Sequence, residues 1–256
     1  MTNFTILQTI STIPYPTMLK KWQDELTTSA SHDKIADLSR FFKTAPGEYA
    51  EGDRFIGLSV PDNRRISKKY FHADLPTITA MLDSEIHEFR LAGFLALVER
   101  YHKAEAKDRQ AIAKFYLDNC HKANNWDLVD LSAQYIIGEE LLRGRSFDNI
   151  MRLAASTLLW HRRVAVVSTL MPVRKCRLDE AFEMCHRLIS DTEPLMHKAV
   201  GWVLRECGKK DRRRLELFLD QHIDSISATT LSYATEHFSP AEREYWRTSR
   251  KASKSR

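Results

Sequence analysis

The sequence predicts an all-α fold, an α-α superhelix built from HEAT-like helical repeats. Apolar residues recur at helical spacing from roughly residue 16 to residue 235, and no segment shows the alternation typical of a β-strand. Glycine and proline are scarce, at 8 each in 256 residues, which disfavours an all-β fold with its many tight turns. Pairs of helices recur about every 35–45 residues, which favours a repeat architecture. An irregular helical bundle is the alternative.

The individual helices follow from local signals along the chain. The segments EIHEFRLAGFLALVERYHKA and DRQAIAKFYLDNCHKA predict an antiparallel pair, and DEAFEMCHRLISD predicts a later helix. In EPLMHKAVGWVLRECGKK, Glu193 and Pro194 suit a first helical turn, and Gly208 ends the apolar pattern. The stretch KTAPGEYAEGDRFIGLSVPDNRR, residues 43–65, is the least helical part.

The predicted domain organisation is one HEAT-like repeat domain over residues 1–238, followed by a basic, disordered C-terminal tail at 239–256. The tail ends in RTSRKASKSR, which is rich in charge and poor in apolar residues. The net charge of +5 and the pI of about 9.0 fit a polyanionic partner such as nucleic acid.

Composition disfavours several classes of protein. The 4 cysteines form no C-x-x-C pair, so neither a zinc site nor a redox motif is indicated, and we expect no metal and no cofactor. No apolar run approaches the ~20 residues needed to cross a bilayer. The N-terminus, MTNFTILQTI, lacks the basic region and cleavage site of a signal peptide. We expect a cytoplasmic monomer without a membrane partner.

The segment HKANNWDLVDLS places Trp126 and Asp130 four residues apart, on one face of a helix. Asn124 or Asn125 caps that helix, and Asp127 lies where a carboxylate favours the helix dipole. Asp130 is one turn further in, where that benefit has faded. The alternatives to a functional role are a solvated surface carboxylate for Asp130 and a core position for Trp126.

A second tryptophan lies within a basic stripe on a later helix. The stripe consists of Lys198, Trp202, Arg205 and Lys209. The opposite, apolar side consists of Met196, Val200, Val203 and Cys207. A tryptophan among cations fits a nucleic-acid surface, with cations for phosphates and a ring for sugar or base. The alternative is that Trp202 packs against a neighbouring helix and the cationic side chains extend around it.

The segment STLLWHRRVAVVSTL carries Arg162 and Arg163 within a strongly apolar helix. An arginine there needs an anionic partner, either a protein carboxylate or a phosphate. Asp130, Arg163 and Trp202 are separated by 33 and 39 residues, close to a repeat length. Because equivalent positions of successive repeats line one concave surface of a solenoid, we expect these side chains to converge in one groove.

Taken together, these motifs resemble the DNA alkylation repair glycosylases built from HEAT-like repeats, the AlkD type. The resemblance covers most of the chain, from about residue 20 to residue 235. It rests on four motifs in the family's order and at nearly its separations: FIGLSVPDNRR (55–65), NWDLVD (125–130), WHRR (160–163) and HKAVGWVLRECGK (197–209).

The resemblance implies a glycosylase that excises positively charged N3- or N7-alkylated purines from duplex DNA. It assigns the catalytic carboxylate to Asp130 and the two active-site tryptophans to Trp126 and Trp202. A DNA-contacting arginine of the family falls on Arg163. A tyrosine of the family falls nearest Tyr49, with a spacing that differs by one residue. Further DNA contacts are expected from the basic residues Arg162, Lys198, Arg205 and Lys209.

The chemistry of such a lesion explains why one acid is enough. A purine alkylated at N3 or N7 carries a positive charge, so its departure needs little help from a general acid. An ionised carboxylate then stabilises the charge that builds on the deoxyribose and positions water, and indole faces suit the same cationic centre. No lysine is marked as a Schiff-base nucleophile, so we expect a monofunctional glycosylase. The alternative functions are a noncatalytic DNA-binding member of the same family and a protein-binding α-solenoid scaffold.

Overall fold

The structure is a computed structural model that describes residues 15–253. The described part of the chain divides into two compact units, with the boundary between Ser132 and Ala133. Within the described residues all regular structure is helical, and an isolated bridge between Arg54 and Ile86 is the only β-type pairing. The prediction of an all-α helical-repeat fold is therefore confirmed. No helix in this part of the chain is both long and apolar enough to cross a lipid bilayer.

The first unit is organised around one long buried helix. Its helices are α1 (Tyr15–Thr28), α2 (Ile35–Phe42), α3 (Val60–Ser67), α4 (Leu75–Leu82), α5 (His87–Lys103), α6 (Ala106–Asn119) and α7 (Trp126–Asp130). Helix α5 packs against α3, α4, α6 and α7, and 14 of its 17 residues are buried. Because even its first turn lies inside, the polar side chains of His87, Glu88 and Arg90 are carried into the interior.

The predicted nonhelical stretch is confirmed in its first part, since residues 43–59 contain no regular helix. Its last residues instead begin α3, whose N-cap Ser59 accepts a hydrogen bond from the Asp62 backbone N–H. The backbone of this stretch passes close to the backbone of Ser31 at Gly57. There φ is +87°, and a Cβ would lie 2.0 Å from the Ser31 carbonyl oxygen. Only glycine fits this position.

The second unit consists of two rows of helices. Its helices are α8 (Ala133–Leu142), α9 (Phe147–Ala154), α10 (Leu159–Ser168), α11 (Leu170–Arg174), α12 (Asp179–Leu188), α13 (Pro194–Gly208), α14 (Arg212–Gln221), α15 (Ala228–Ala234) and α16 (Pro240–Ser253). Helices α8, α10, α13 and α15 pack in series. Helix α12 packs on α9 and meets α14 through the rings of Phe182 and Phe218, whose centroids are 5.5 Å apart.

Helix α13 is the most closely packed element of the second unit. It begins at Pro194, ends at Gly208 and buries the predicted apolar side chains Met196, Val200, Val203 and Cys207. A Cβ at Gly201 would lie 2.5 Å from the Tyr233 Cβ of α15. The absence of a side chain at residue 201 therefore allows α13 and α15 to approach closely.

The prediction of a disordered tail at 239–256 is wrong for residues 240–253, which form α16. The Ser239 hydroxyl accepts from the Glu242 backbone N–H, and the Glu242 carboxylate accepts from the Ser239 backbone N–H. This is a capping box, a helix start signal that the charge-rich sequence obscured. Trp246 is only 6% exposed and anchors the helix. Residues 1–14 of the predicted domain and 254–256 of the predicted tail lie outside the described residues.

Candidate active site

Helix α7 presents Trp126 and Asp130 at the surface of the first unit. Both side chains are partly exposed, whereas the three residues between them, Asp127, Leu128 and Val129, are buried. The helix begins at Asn125, whose side-chain oxygen accepts a 2.8 Å hydrogen bond from the Trp126 backbone N–H. Of the two predicted caps, Asn125 is therefore the one that the structure supports.

The Trp126 ring belongs to an aromatic cluster. It stacks on Phe42 with centroids 5.3 Å apart, and its edge meets Phe41 at 5.8 Å. Its indole N–H donates a 3.2 Å hydrogen bond to the Tyr49 hydroxyl. The structure thus brings Tyr49 and Trp126 together, as expected for two residues of one site. Phe41 is 62% exposed and extends the aromatic surface beyond the indole.

A buried ionic network lies behind this aromatic cluster. The His87 Nε2 atom is 2.8 Å from Asp127 Oδ2, and its Nδ1 atom is 3.2 Å from Asp53 Oδ2. Arg90 donates to the other Asp53 oxygen at 2.5 Å and to the Asn124 side-chain oxygen at 3.0 Å. The side chains of His87, Asp53 and Asp127 are each 5% exposed or less. The network therefore joins α5, the loop before α3, and α7.

The contacts of the network shift the pKa values of His87 and Asp53 towards their charged forms. Burial acts to lower the pKa of His87, but the charge and hydrogen bond of Asp127 and the hydrogen bond of Asp53 raise it to about 9. Burial acts to raise the pKa of Asp53, but the hydrogen bond from His87 and the charge of Arg90 bring it below its ordinary value. At neutral pH the imidazolium is therefore a buried cation between carboxylates.

The FIGLSV motif is fixed by a buried carboxylate of α5. The Glu88 side chain accepts hydrogen bonds from the backbone N–H groups of Ile56, Gly57 and Leu58, the shortest 2.9 Å from Gly57. The Asn63 amide donates to the Glu88 backbone carbonyl at 2.7 Å. Carboxylates that accept several backbone N–H bonds hold a loop firmly. The motif therefore serves to attach the loop before α3 to α5.

In the second unit, the two arginines of the WHRR motif are both engaged with protein groups. Arg163 is 5% exposed, and its Nη1 donates a 2.7 Å hydrogen bond to the Leu195 carbonyl at the start of α13. Arg162 Nε is 2.6 Å from Asp191 Oδ2, and its Nη1 donates to the Thr157 carbonyl at 2.8 Å. For Arg162 the anionic partner is a protein carboxylate, so a phosphate would compete with this ion pair.

The basic stripe of α13 has the predicted orientation, with part of its charge balanced locally. Lys198 is exposed and Trp202 is half-buried. Glu206 lies 3.2 Å from Arg205 Nε and 2.9 Å from Lys209 Nζ, and Arg205 also pairs with Glu236. Burial acts to raise the pKa of Glu206, but these cations lower it below its ordinary value. Lys198 therefore presents its charge to solvent more openly than Arg205 or Lys209.

Comparison with known proteins identifies the family. The model of the family described as DNA alkylation repair enzyme matches residues 22–238. The chain belongs to this family. The predicted resemblance is therefore confirmed, and membership indicates a role in the repair of alkylated DNA.

One solved structure with the same fold is described as a predicted DNA alkylation repair enzyme from Enterococcus faecalis. It is 16% identical to this chain, with a TM-score of 0.64, over 83% of this chain and 98% of that one. At this identity the likeness is one of fold. No curated protein matches the sequence.

For this DNA alkylation repair protein, the sequence singles out the exposed residues of the candidate site, Trp126 and Asp130, and gives no indication of the buried network behind them. Asp127 lies in the first turn of α7, where a carboxylate favours the helix dipole, and it is in addition a buried partner of His87. Helical periodicity alone gives His87, Glu88 and Arg90 no role beyond that of helix residues. The available signal was their position, since three charged or titratable side chains open the helix directly before the apolar run at residues 91–98. Within residues 15–253, no group of three or more His, Cys, Asp or Glu side chains is arranged to hold a metal ion.

Proposed function

We propose that the protein is a monofunctional DNA glycosylase that releases positively charged N3- or N7-alkylated purines from duplex DNA. The observation that carries this proposal is the exposure pattern of α7. Only its first and last residues, Trp126 and Asp130, reach solvent, and the three between them are buried. A five-residue helix thus offers one electron-rich ring and one carboxylate on the same side. Both groups can stabilise the positive charge that develops on the deoxyribose.

Asp130 is the group proposed to act on the sugar. As the C–N bond breaks, the purine leaves as a neutral base and positive charge develops on the deoxyribose. A carboxylate close to that centre stabilises it and orients the attacking water. Removal of one such electrostatic group typically costs about 100- to 1,000-fold in rate, and we expect a loss of this order for Asp130→Asn.

The indole of Trp126 is proposed to contact the same cationic centre with its face. A cation–π contact contributes about 0.5–2 kcal/mol, which corresponds to roughly 2- to 30-fold in rate. The hydrogen bond to Tyr49 and the stacking on Phe42 fix the plane of the ring. The resemblance also assigns Trp202 as a second indole and Arg163 as a DNA-contacting cation. Because Arg163 is 5% exposed and donates to the Leu195 carbonyl, the exposed Lys198 is the cation more suited to a phosphate.

The test is release of N7-methylguanine from duplex DNA under single-turnover conditions. Wild type should release the base, Asp130→Asn should be slower by about 100-fold or more, and its DNA affinity should be kept. Asp33→Asn is the matched control, because Asp33 is an exposed carboxylate of the first unit, and its rate should equal that of wild type. Tight, salt-sensitive DNA binding without base release would instead support a noncatalytic DNA-binding protein.

A further inference from the structure

The environment of His87 favours a doubly protonated ring. Its two ring nitrogens face carboxylate oxygens of Asp127 and Asp53 at 2.8 Å and 3.2 Å. An ionised carboxylate only accepts hydrogen bonds, so both nitrogens have to donate, and only the imidazolium carries two N–H groups. The other Asp127 oxygen, Oδ1, is buried and has no hydrogen-bond partner within the described residues. The imidazolium is thus the group that balances the Asp127 charge.

The same ring is connected to Trp126 through aromatic ring contacts. The imidazole lies 4.7 Å from the Phe55 ring and 4.9 Å from the Phe42 ring. Phe42 in turn stacks on Trp126 at 5.3 Å. His87 is therefore linked to α7 by two routes, an ion pair with Asp127 and a series of ring contacts through Phe42 that ends at the indole. An aromatic face is also a favourable neighbour for a cation.

We propose that His87 is a positioning residue: its imidazolium joins Asp53 to Asp127 and thereby sets the orientation in which α7 presents Trp126 and Asp130. The expected effect on catalysis rests on the proposed function. The expected effect on the orientation of α7 rests on geometry alone. His87 is 2% exposed and acts through other residues. Loss of the ring proton leaves two facing carboxylates with one fewer cation between them, so α7 is expected to shift when His87 is deprotonated.

The charged and titratable groups near His87 come from three places. Asp53 belongs to the loop before α3, Asp127 belongs to α7, and Arg90 lies on α5 with His87 itself. Helix α2 contributes the uncharged ring of Phe42. Tyr49 is the titratable group next to Trp126 on the other side. A pH response at Trp126 therefore has two possible sources, His87 and Tyr49, and the experiment has to separate them.

The structural test follows the indole N–H resonance of Trp126 by NMR from pH 7 to pH 10.5, assigned with Trp126→Phe. In wild type the resonance should move with a midpoint near the His87 pKa of about 9. In His87→Gln this movement should be absent, and in Asp127→Asn its midpoint should be lower, because the partner charge is gone. His121→Gln, an exposed histidine just before α7, should behave as wild type.

The catalytic test uses the same variants in single-turnover release of N7-methylguanine at pH 7.5. His87→Gln is expected to lower the rate by about 10-fold, while the Kd for DNA stays within about threefold. A His87→Gln rate within about twofold of wild type would overturn the proposed effect of His87 on catalysis. An indole resonance that does not move in wild type, or that moves equally in His87→Gln, would overturn the proposed effect of His87 on the orientation of α7. If wild type releases no base, the proposed function fails and the NMR titration still decides whether His87 positions α7.

Discussion

Raising the pH from about 6 to about 10 should destabilise the first unit, because it removes the buried cation at His87. The pKa of His87 is about 9 in the folded protein and about 6.5 in an unfolded chain. A group whose pKa is raised by folding stabilises the native state fully below the unfolded pKa, and this stabilisation is lost as the pH rises through the folded pKa. A difference of about 2.5 in pKa corresponds to about 3 kcal/mol. The side chain is 2% exposed, so solvent screening reduces this contribution little.

The assay is urea unfolding of wild type and His87→Gln at several pH values across that interval. The measured quantity is the difference between their free energies of unfolding, because groups that do not contact His87 titrate equally in both proteins and cancel. This difference should be largest near pH 6 and should shrink by about 3 kcal/mol by about pH 10. His121→Gln should remain parallel to wild type throughout. A difference that does not depend on pH would refute the reasoning, since it would mean that His87 is not held as an imidazolium.

Three further perturbations test other parts of the structure. Glu88→Gln removes a charged acceptor from the backbone N–H groups of residues 56–58, and urea unfolding should show a loss of about 1.5–3 kcal/mol. Gly201→Ala forces a Cβ against Tyr233, so thermal unfolding should show that the free energy of unfolding falls by about 1–3 kcal/mol. An unchanged Tm would contradict the close approach of α13 and α15. Trp246→Ala removes the anchor of α16, so limited trypsin digestion should cleave within residues 240–253 faster than in wild type, and equal resistance would argue against that anchoring role.

The elements that the sequence predicted well are those whose signal is local. The helix bounds of α13 follow from Pro194 at its start and Gly208 at its end, and its buried face follows from apolar periodicity. Helix α16 was missed although its signal is equally local, because a basic composition outweighed the capping box formed by Ser239 and Glu242. Composition averages over a segment, whereas two hydrogen bonds at its first turn are enough to start a helix.

The buried half of the site could not be predicted, because its contacts join residues far apart in the chain. Asp53 and His87 are separated by 34 residues, and His87 and Asp127 by 40. No periodicity connects a loop, the start of one helix and the first turn of another. The sequence contained all the charges, but only the fold shows which of them lose their water and must therefore be paired.

The conformation of helix α7, which carries the exposed Asp130, comes from contacts with the rest of the first unit. Five residues form too short a segment to be helical on their own, since nucleation of a helix is unfavourable and few hydrogen bonds offset it. Its conformation must come from tertiary contacts: the Asn125 cap, the burial of Leu128 and Val129, and the ion pair of Asp127 with His87. Of these, the ion pair alone changes with protonation. The two acids of α7 thus have complementary roles, with Asp127 fixing the helix from within and Asp130 facing the solvent from which DNA would approach.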